Sequence, residues 1–365
     1  MQSEADGQPC AAHYTAGEVI VYILMLTVAG CSSIGPGTVT RDRLHYSCAL
    51  SDSWKEQLLV NIVKTRYEDS PAFLELSSVV SGYTLETGLG ASGQYSPPGL
   101  RGDSFMGGAV SAKFTDRPTI SYTPMTGEKF ARSLLSPVPL DAVWSVVQGG
   151  VPADFLLGLT VQSMGGHYNL GLYGGEIQKM DPEFARMLQV MRSLQEAHAF
   201  DPEIISNSER AETWMRFPAP GSFTPSLVEQ AAELKVLLNI PAGTERVRVT
   251  YGTRNAEPGV VAVRTRSLMQ IISTLGAGVQ IPVEHATAGE VLRLEAADLP
   301  FTFKVHSGKD KPKRRFVAVP YEGYWYWIEP DDFASKRTLA AVTLLMHFLE
   351  SGSGKSVPIL TIPAN

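Results

Sequence analysis

An α+β fold is predicted, with mixed or antiparallel sheets packed against several amphipathic helices. Three observations predict it. Segments with apolar residues at helical spacing and segments with two-residue alternation follow one another without a regular βαβ rhythm. The 33 glycines and 24 prolines imply many turns and short elements. Hydrophobic residues make up 44% of the 365 residues and charged residues 19%, which suits a folded chain with a sizeable core.

The first helix is expected at Ser53, which forms a capping-box pattern with Glu56. Trp54, Leu58, Ile62 and Val63 then recur at helical spacing as core contacts, to a helix end near Tyr67. Before it, Gly35-Pro36-Gly37 reads as flexible punctuation in a tether over 31–50. Val79, Val80, Tyr83 and Leu85 suggest strands, Ser92 to Gly108 a long hairpin loop or flap, and Val110, Ala112 and Phe114 alternate. Thr119 to Tyr122 follows as a strand.

Helices are expected from Gly127 to Leu135 and from Pro139 to Val147. Pro152 to Leu157 reads as a helical turn or more, running into a strand at Leu159 to Ser163. Asp181-Pro182 is the clearest helix start, an oxygen acceptor followed by Pro at the first helical position. Strand-like Ile204-Ile205 and Trp214 to Phe217 come next, then a Pro/Gly cluster. That region is the best boundary between two α+β halves, 51–205 and 206–365, unless the two form one compact domain.

Thr224-Pro225 opens a further helix, Val247 to Tyr251 and Val260 to Val263 read as strands, and Ser267 caps a helix holding Leu268, Ile271, Ile272 and Leu275. Three strands are expected at Phe301 to Val305, Phe316 to Val319 and Tyr324 to Ile328. A buried helix from Asp332 to Leu349 and a last strand at Ile359 to Ile362 complete the chain.

Catalytic motifs are largely eliminated. Gly88 to Gly93 matches GxGxxG but lies in a strand-like run, whereas a dinucleotide site needs it to open a helix. Gly352-Ser353-Gly354-Lys355-Ser356 lacks the leading glycine of a phosphate loop, since position 349 is Leu, and it follows a helix. The seven histidines show no HExxH pairing, and no Gly-x-Ser-x-Gly elbow occurs. The net charge of −6 offers no basic field for nucleic acid. No cofactor and no metal are expected.

Two stretches remain as a candidate binding surface. Tyr324, Trp325, Tyr326 and Trp327 form the densest aromatic cluster; on a strand the two Tyr share one face and the two Trp the other. One face is core, and the other is a ligand platform, a partner surface or further core. Lys309, Lys311, Lys313, Arg314 and Arg315 lie in the preceding hairpin connection, as a solvated loop or as a contact for anionic envelope material. Glu329, Asp331 and Asp332 follow, so the alternative is a glycan hydrolase using carboxylates near Glu329 and Asp331. Asp331 or Asp332 equally suits a helix cap.

The apolar run Val19 to Ala29 ends in Leu26-Thr27-Val28-Ala29-Gly30-Cys31-Ser32, which resembles the cleavage box of bacterial lipoprotein signal peptides. The run is long enough for a signal core and too short for an ordinary membrane span. The resemblance implies a signal peptide over 1–30 and lipidation at Cys31. Ser32, by the family's sorting rule, implies the periplasmic face of the outer membrane. Such leaders open with positive charge, yet the first basic residue is Arg41; either translation starts downstream of Met1 or the likeness is accidental. Cleavage before Cys31 removes Cys10, and a lipid on Cys31 leaves Cys48 alone, so no disulfide framework is expected. Cys48 reads as a small, partly buried side chain.

Arg41-Asp42-Arg43, Asp52 to Lys55, Asn61 to Lys64, Val80 to Tyr83, Arg264 to Ser267 and Tyr324 to Ile328 together resemble a group of uncharacterised proteobacterial envelope lipoproteins. The resemblance implies an envelope location, membrane contact through the N-terminal lipid, and an envelope protein partner. It supplies no activity and no catalytic residues. The expected function is a binding or assembly component of the envelope, not an enzyme.

Overall fold

The computed structural model describes residues 34–80, 83–94, 105–116, 119–173, 176–206, 211–217, 221, 223–291 and 302–351. The expected signal run, the Cys31 junction, the Gly352–Ser356 segment and the last strand lie outside the described residues. The chain divides into two units, Met1–Trp54 and Lys55–Asn365.

Helix α1 (Ile34–Arg66) contains the segment read as flexible punctuation. Pro36 is its third residue, in the first turn, where backbone N–H groups have no intrahelical acceptor and the missing donor costs little. Ser53 is therefore mid-helix and exposed, not a cap. In the first unit, Trp54 is 38% exposed, not the core contact expected, and Cys48 is an exposed free thiol, not the partly buried side chain expected. In the second unit, Leu58, Leu59, Ile62 and Val63 are buried as the spacing predicts.

Two antiparallel ladders follow. β1 (Leu74–Val80) pairs with β4 (Thr119–Pro124), and β2 (Tyr83–Gln94) pairs with β3 (Phe105–Asp116). At the two ends of the expected flap, 92–94 and 105–108 are strand, because the ladder runs without a slip from Tyr83↔Asp116 to Gln94↔Phe105; residues 95–104 lie outside the described residues. The Gly88–Gly93 motif is strand backbone.

Helix α2 (Gly127–Phe130) continues as a π turn over Ala131–Leu135. After α3 (Leu140–Gln148) and α4 (Ala153–Thr160) come β5 (Val161–Met164), β6 (His167–Tyr168), β7 (Gly171–Tyr173), β8 (Glu176–Gln178) and α5 (Pro182–Glu196). Asp181 does not cap α5; its Oδ2 accepts from the Tyr168 backbone N–H at 2.6 Å and ties β6 to the helix start. β9 (Asp201–Ser206), β10 (Ala211–Arg216), α6 (Pro225–Leu237), β11 (Arg246–Tyr251), β12 (Val260–Thr265) and α7 (Leu268–Gly276) follow.

The main sheet has the order β6-β5-β12-β11-β10-β9 and is antiparallel except for the β11–β12 pair. β9 and β10 are adjacent strands of this sheet, so the region expected to separate two halves lies within one unit. A single buried cluster joins α1 residues such as Ile62 with Trp144, Phe184, Val261, Ile272 and Val342.

Arg266 holds the corner after β12. It is 1% exposed, and its guanidinium donates to the Gly158 and Leu159 carbonyls at 3.1 and 2.9 Å and to the Leu170 carbonyl. The first two are carbonyls of the last turn of α4, which lack helical partners there, and a cation suits the negative end of a helix. Ser267 beside it is the expected cap, and with Gln270 it makes a full capping box: its Oγ accepts from Gln270 N, and Gln270 Oε1 accepts from Ser267 N.

α8 (Val283–Ala288) leads into a three-stranded sheet of order β13-β15-β14, made of β13 (His306–Gly308), β14 (Val317–Tyr321) and β15 (Tyr324–Ile328). The strand expected at Phe301–Val305 forms at His306–Gly308 instead; Val305 makes an isolated parallel bridge to Val279. Glu322 and Gly323 both take positive φ, at 44° and 75°, which gives the β14–β15 hairpin a two-residue turn matched to strand twist. The last helix is α9 (Phe333–Ser351). Leu339, Val342 and Leu345 are buried, but Leu344 and Phe348 are exposed, so α9 is covered on one side only. Among the described residues no helix is long and apolar enough to cross a membrane.

Candidate functional site

The aromatic strand β15 has two unlike faces, as its two-residue period requires. Tyr326 is fully buried, so it belongs to the core and not to the expected binding surface. Its hydroxyl lies 2.5 Å from that of Tyr67, just past the end of α1. The Tyr67 hydroxyl is also 2.7 Å from His285 Nδ1 on α8. The Tyr67 ring meets Tyr321 edge-on at 5.2 Å, and His285 meets Tyr324 edge-on at 4.9 Å.

Charged groups rim this cluster. Tyr321 donates to Asp69 Oδ2 at 3.1 Å, and Tyr324 donates to the Glu284 carboxylate, which also meets Lys309 Nζ at 3.0 Å. The Tyr324 bond, then Lys309, holds Glu284 down to about 2. Asp69 is lowered chiefly by the Tyr321 bond, and Lys309 is raised by Glu284. Burial raises Tyr67, Tyr321 and Tyr326, and the Glu284 bond raises Tyr324. All four phenols therefore stay protonated at neutral pH and act as hydrogen-bond donors. A groove of about 840 Å³ opens beside Tyr324, lined by Gln280, Pro282, Glu284, Thr287 and Ser307 among others.

The opposite face of β15 carries Trp325 and Trp327, both half-buried. Trp327 stacks on His306 at 5.7 Å and donates its indole N–H to Glu329 Oε1 at 2.8 Å. The connection from β13 to β14 folds over the sheet: Lys311 Nζ sits 4.7 Å from the Trp325 ring centre and Lys309 Nζ 5.6 Å from that of Tyr324. Lys313, Arg314 and Arg315 are exposed on the same connection, with Arg315 donating to the Pro312 carbonyl at 3.1 Å.

The structure thus sets Lys311 against Trp325 on the Trp325 and Trp327 face of β15 and Lys309 against Tyr324 on the other face, with Lys313, Arg314 and Arg315 on the same connection. It adds Tyr67, Asp69, Glu284, His285 and His306, which no local sequence pattern marks. Of the acids considered for glycan cleavage, Glu329 accepts from Trp327 and Asp331 is exposed. Asp332 caps α9 through Ser335 N at 3.0 Å and Ser335 Oγ at 2.6 Å. Among the described residues no group of three or more His, Cys, Asp or Glu is placed to hold a metal ion. No family model, no curated protein and no solved structure matches the chain.

Proposed function

We propose that the protein is an outer-membrane lipoprotein, lipidated at Cys31 and facing the periplasm, that works as a binding or assembly component of the envelope. Its binding surface is the Trp325 and Trp327 face of β15 with the basic connection Lys309–Arg315, and its partner is an envelope protein presenting anionic groups. The observation that carries the reading is the Lys311–Trp325 contact, which places cation and indole on one half-open surface. Indoles with adjacent cations suit recognition by area and charge. The phenols held protonated and the carboxylates engaged by Trp327 and Ser335 favour binding over hydrolysis.

Capture of the lipidated protein from crosslinked envelopes tests the surface. Wild type should retain an envelope protein that Lys311→Ala with Trp325→Ala loses. Equal recovery by both overturns the assigned surface. The mass of the mature N-terminus tests the anchor, and an unmodified Cys31 thiol would sink it.

A further inference from the structure

The β2–β3 ladder is a poor free-standing element. It is 12 residues long on each strand, and among the described residues it is a two-stranded sheet, so each strand has one outer edge with no strand beside it. Gly88, Gly90, Gly93, Gly107 and Gly108 lie within it, which weakens strand pairing. A lone two-stranded hairpin is marginal in water and its open edges invite further strands.

Its two faces differ. Glu86, Gly88, Gly90 and Ser92 on one strand and Ser111 and Lys113 on the other are exposed. The strand period assigns Leu85, Leu89 and Ala91, with Val110, Ala112 and Phe114, to the opposite face. Register agrees, pairing Leu85 with Phe114 and Leu89 with Val110. Charge is confined to one end. Beyond the rung Glu86↔Lys113, Thr87–Gln94 and Phe105–Ala112 carry none. At about 3.3 Å per residue and the roughly 40° tilt of barrel strands, these eight uncharged rungs rise about 20 Å, most of the apolar band of about 25 Å on outer-membrane barrels.

We propose that β2–β3 hairpins from several copies of this chain pair edge to edge into a closed, membrane-embedded β-barrel. The Leu85–Leu89 face meets lipid, and the Glu86–Ser92 face lines a water-filled lumen. The occupant of each open edge is a second copy, by charge complementarity. β3 of one copy set antiparallel to β2 of the next, staggered by the two residues per hairpin that strand tilt in a closed barrel requires, brings Lys113 within diagonal reach of the neighbour's Glu86 and closes a ring of alternating charge. Closure removes every edge, and only closed barrels satisfy strand backbones in lipid. The choice of membrane rests on the outer-membrane reading above; the self-pairing does not.

Full-length chains with Cys10→Ser and Cys48→Ser provide the background. One population carries Glu86→Cys and the other Lys113→Cys; both are co-expressed, purified in detergent and treated with a short bismaleimide. A crosslinked dimer of the two types is expected, at least tenfold above a Gln94→Cys and Lys113→Cys mixture, whose sites lie too far apart along the strands to be bridged. No such excess overturns the proposal. In proteoliposomes of the unmutated protein an entrapped small fluorophore should escape. Leu89→Asp should abolish that leakage and Ser111→Asp preserve it, with both melting as wild type does. Absence of leakage, or leakage indifferent to Leu89→Asp, also overturns the barrel. Neither readout depends on cellular address, so an unlipidated Cys31 would fault the outer-membrane reading and leave these outcomes standing.

Discussion

Tyr67 and His285, 218 positions apart in the chain, meet at 2.7 Å between the phenol oxygen and Nδ1. That oxygen is also 2.5 Å from the Tyr326 hydroxyl. Tyr67 thus has two partners, and the buried Tyr326 hydroxyl has Tyr67. Removing different members should therefore have unequal effects. Tyr67→Phe leaves the buried Tyr326 hydroxyl without Tyr67, a loss of about 1–3 kcal/mol, whereas Tyr326→Phe leaves Tyr67 on His285 and loses about 0.5–1.5 kcal/mol. Denaturant midpoints of the two variants check the order; equal losses would refute this asymmetry.

Arg266 should be among the least replaceable side chains. Arg266→Met strands the Leu159 and Leu170 carbonyls in the interior, while Gly158 O keeps its bond from Asn169 Nδ2, at a cost of about 3 kcal/mol. Arg266→Lys should recover less than half of it, since a point ammonium cannot span carbonyls that a planar fork reaches. Thermal melts of both variants decide this, and full recovery by Lys would contradict it.

Gly278 should reject any side chain. A Cβ there would overlap the Phe303 carbonyl oxygen, at the place where Gly278 O accepts from Val305 N at 3.0 Å. The obstacle is backbone, so no rotamer relieves it. Gly278→Ala should cost about 1–3 kcal/mol, read from urea unfolding. Gly243→Ala, which meets nothing within 4 Å, is the control expected to stay near wild type.

Glu284 sets an acid dependence of known sign. Its folded value is lowered to about 2 from 4.5. The stability it contributes is fully present above about 4.5 and is lost as pH falls through about 2. Glu284→Gln should flatten the stability profile between those values and leave it unchanged near neutrality relative to the variant's own plateau. Unfolding free energies at pH 3 and pH 6 measure the slope; an unaltered slope would exclude the Tyr324 and Lys309 pairing as its source.

Local chemistry was readable in the residues, and remote pairing was not. Ser267 and Gln270 form their box because every participant lies within one turn. Ser53 and Glu56 carry the same pattern in the middle of α1, because helix propagates through Pro36 when that residue falls in the first turn. The alternation of Tyr324 to Trp327 gave two faces, but the partner that makes Tyr326 core is Tyr67, 259 positions away. Asp181 had the right side chain for a cap, yet the Tyr168 N–H competes for its oxygen. His306 and Lys311 reach the indoles only through the fold of the β13–β14 connection.

The order of strands in the main sheet has a kinetic consequence. β9 and β10 are neighbours in both sequence and space and can pair early, with four residues between them. β5 must wait for β12, since Met164 pairs with Val263 across about a hundred residues. Closing so long a loop costs entropy before any contact returns it. A chain still emerging from the ribosome therefore holds the β5–β6 pair without its β12 neighbour until residue 263 has cleared. The buried face of β5 is then the surface a holding chaperone would meet first.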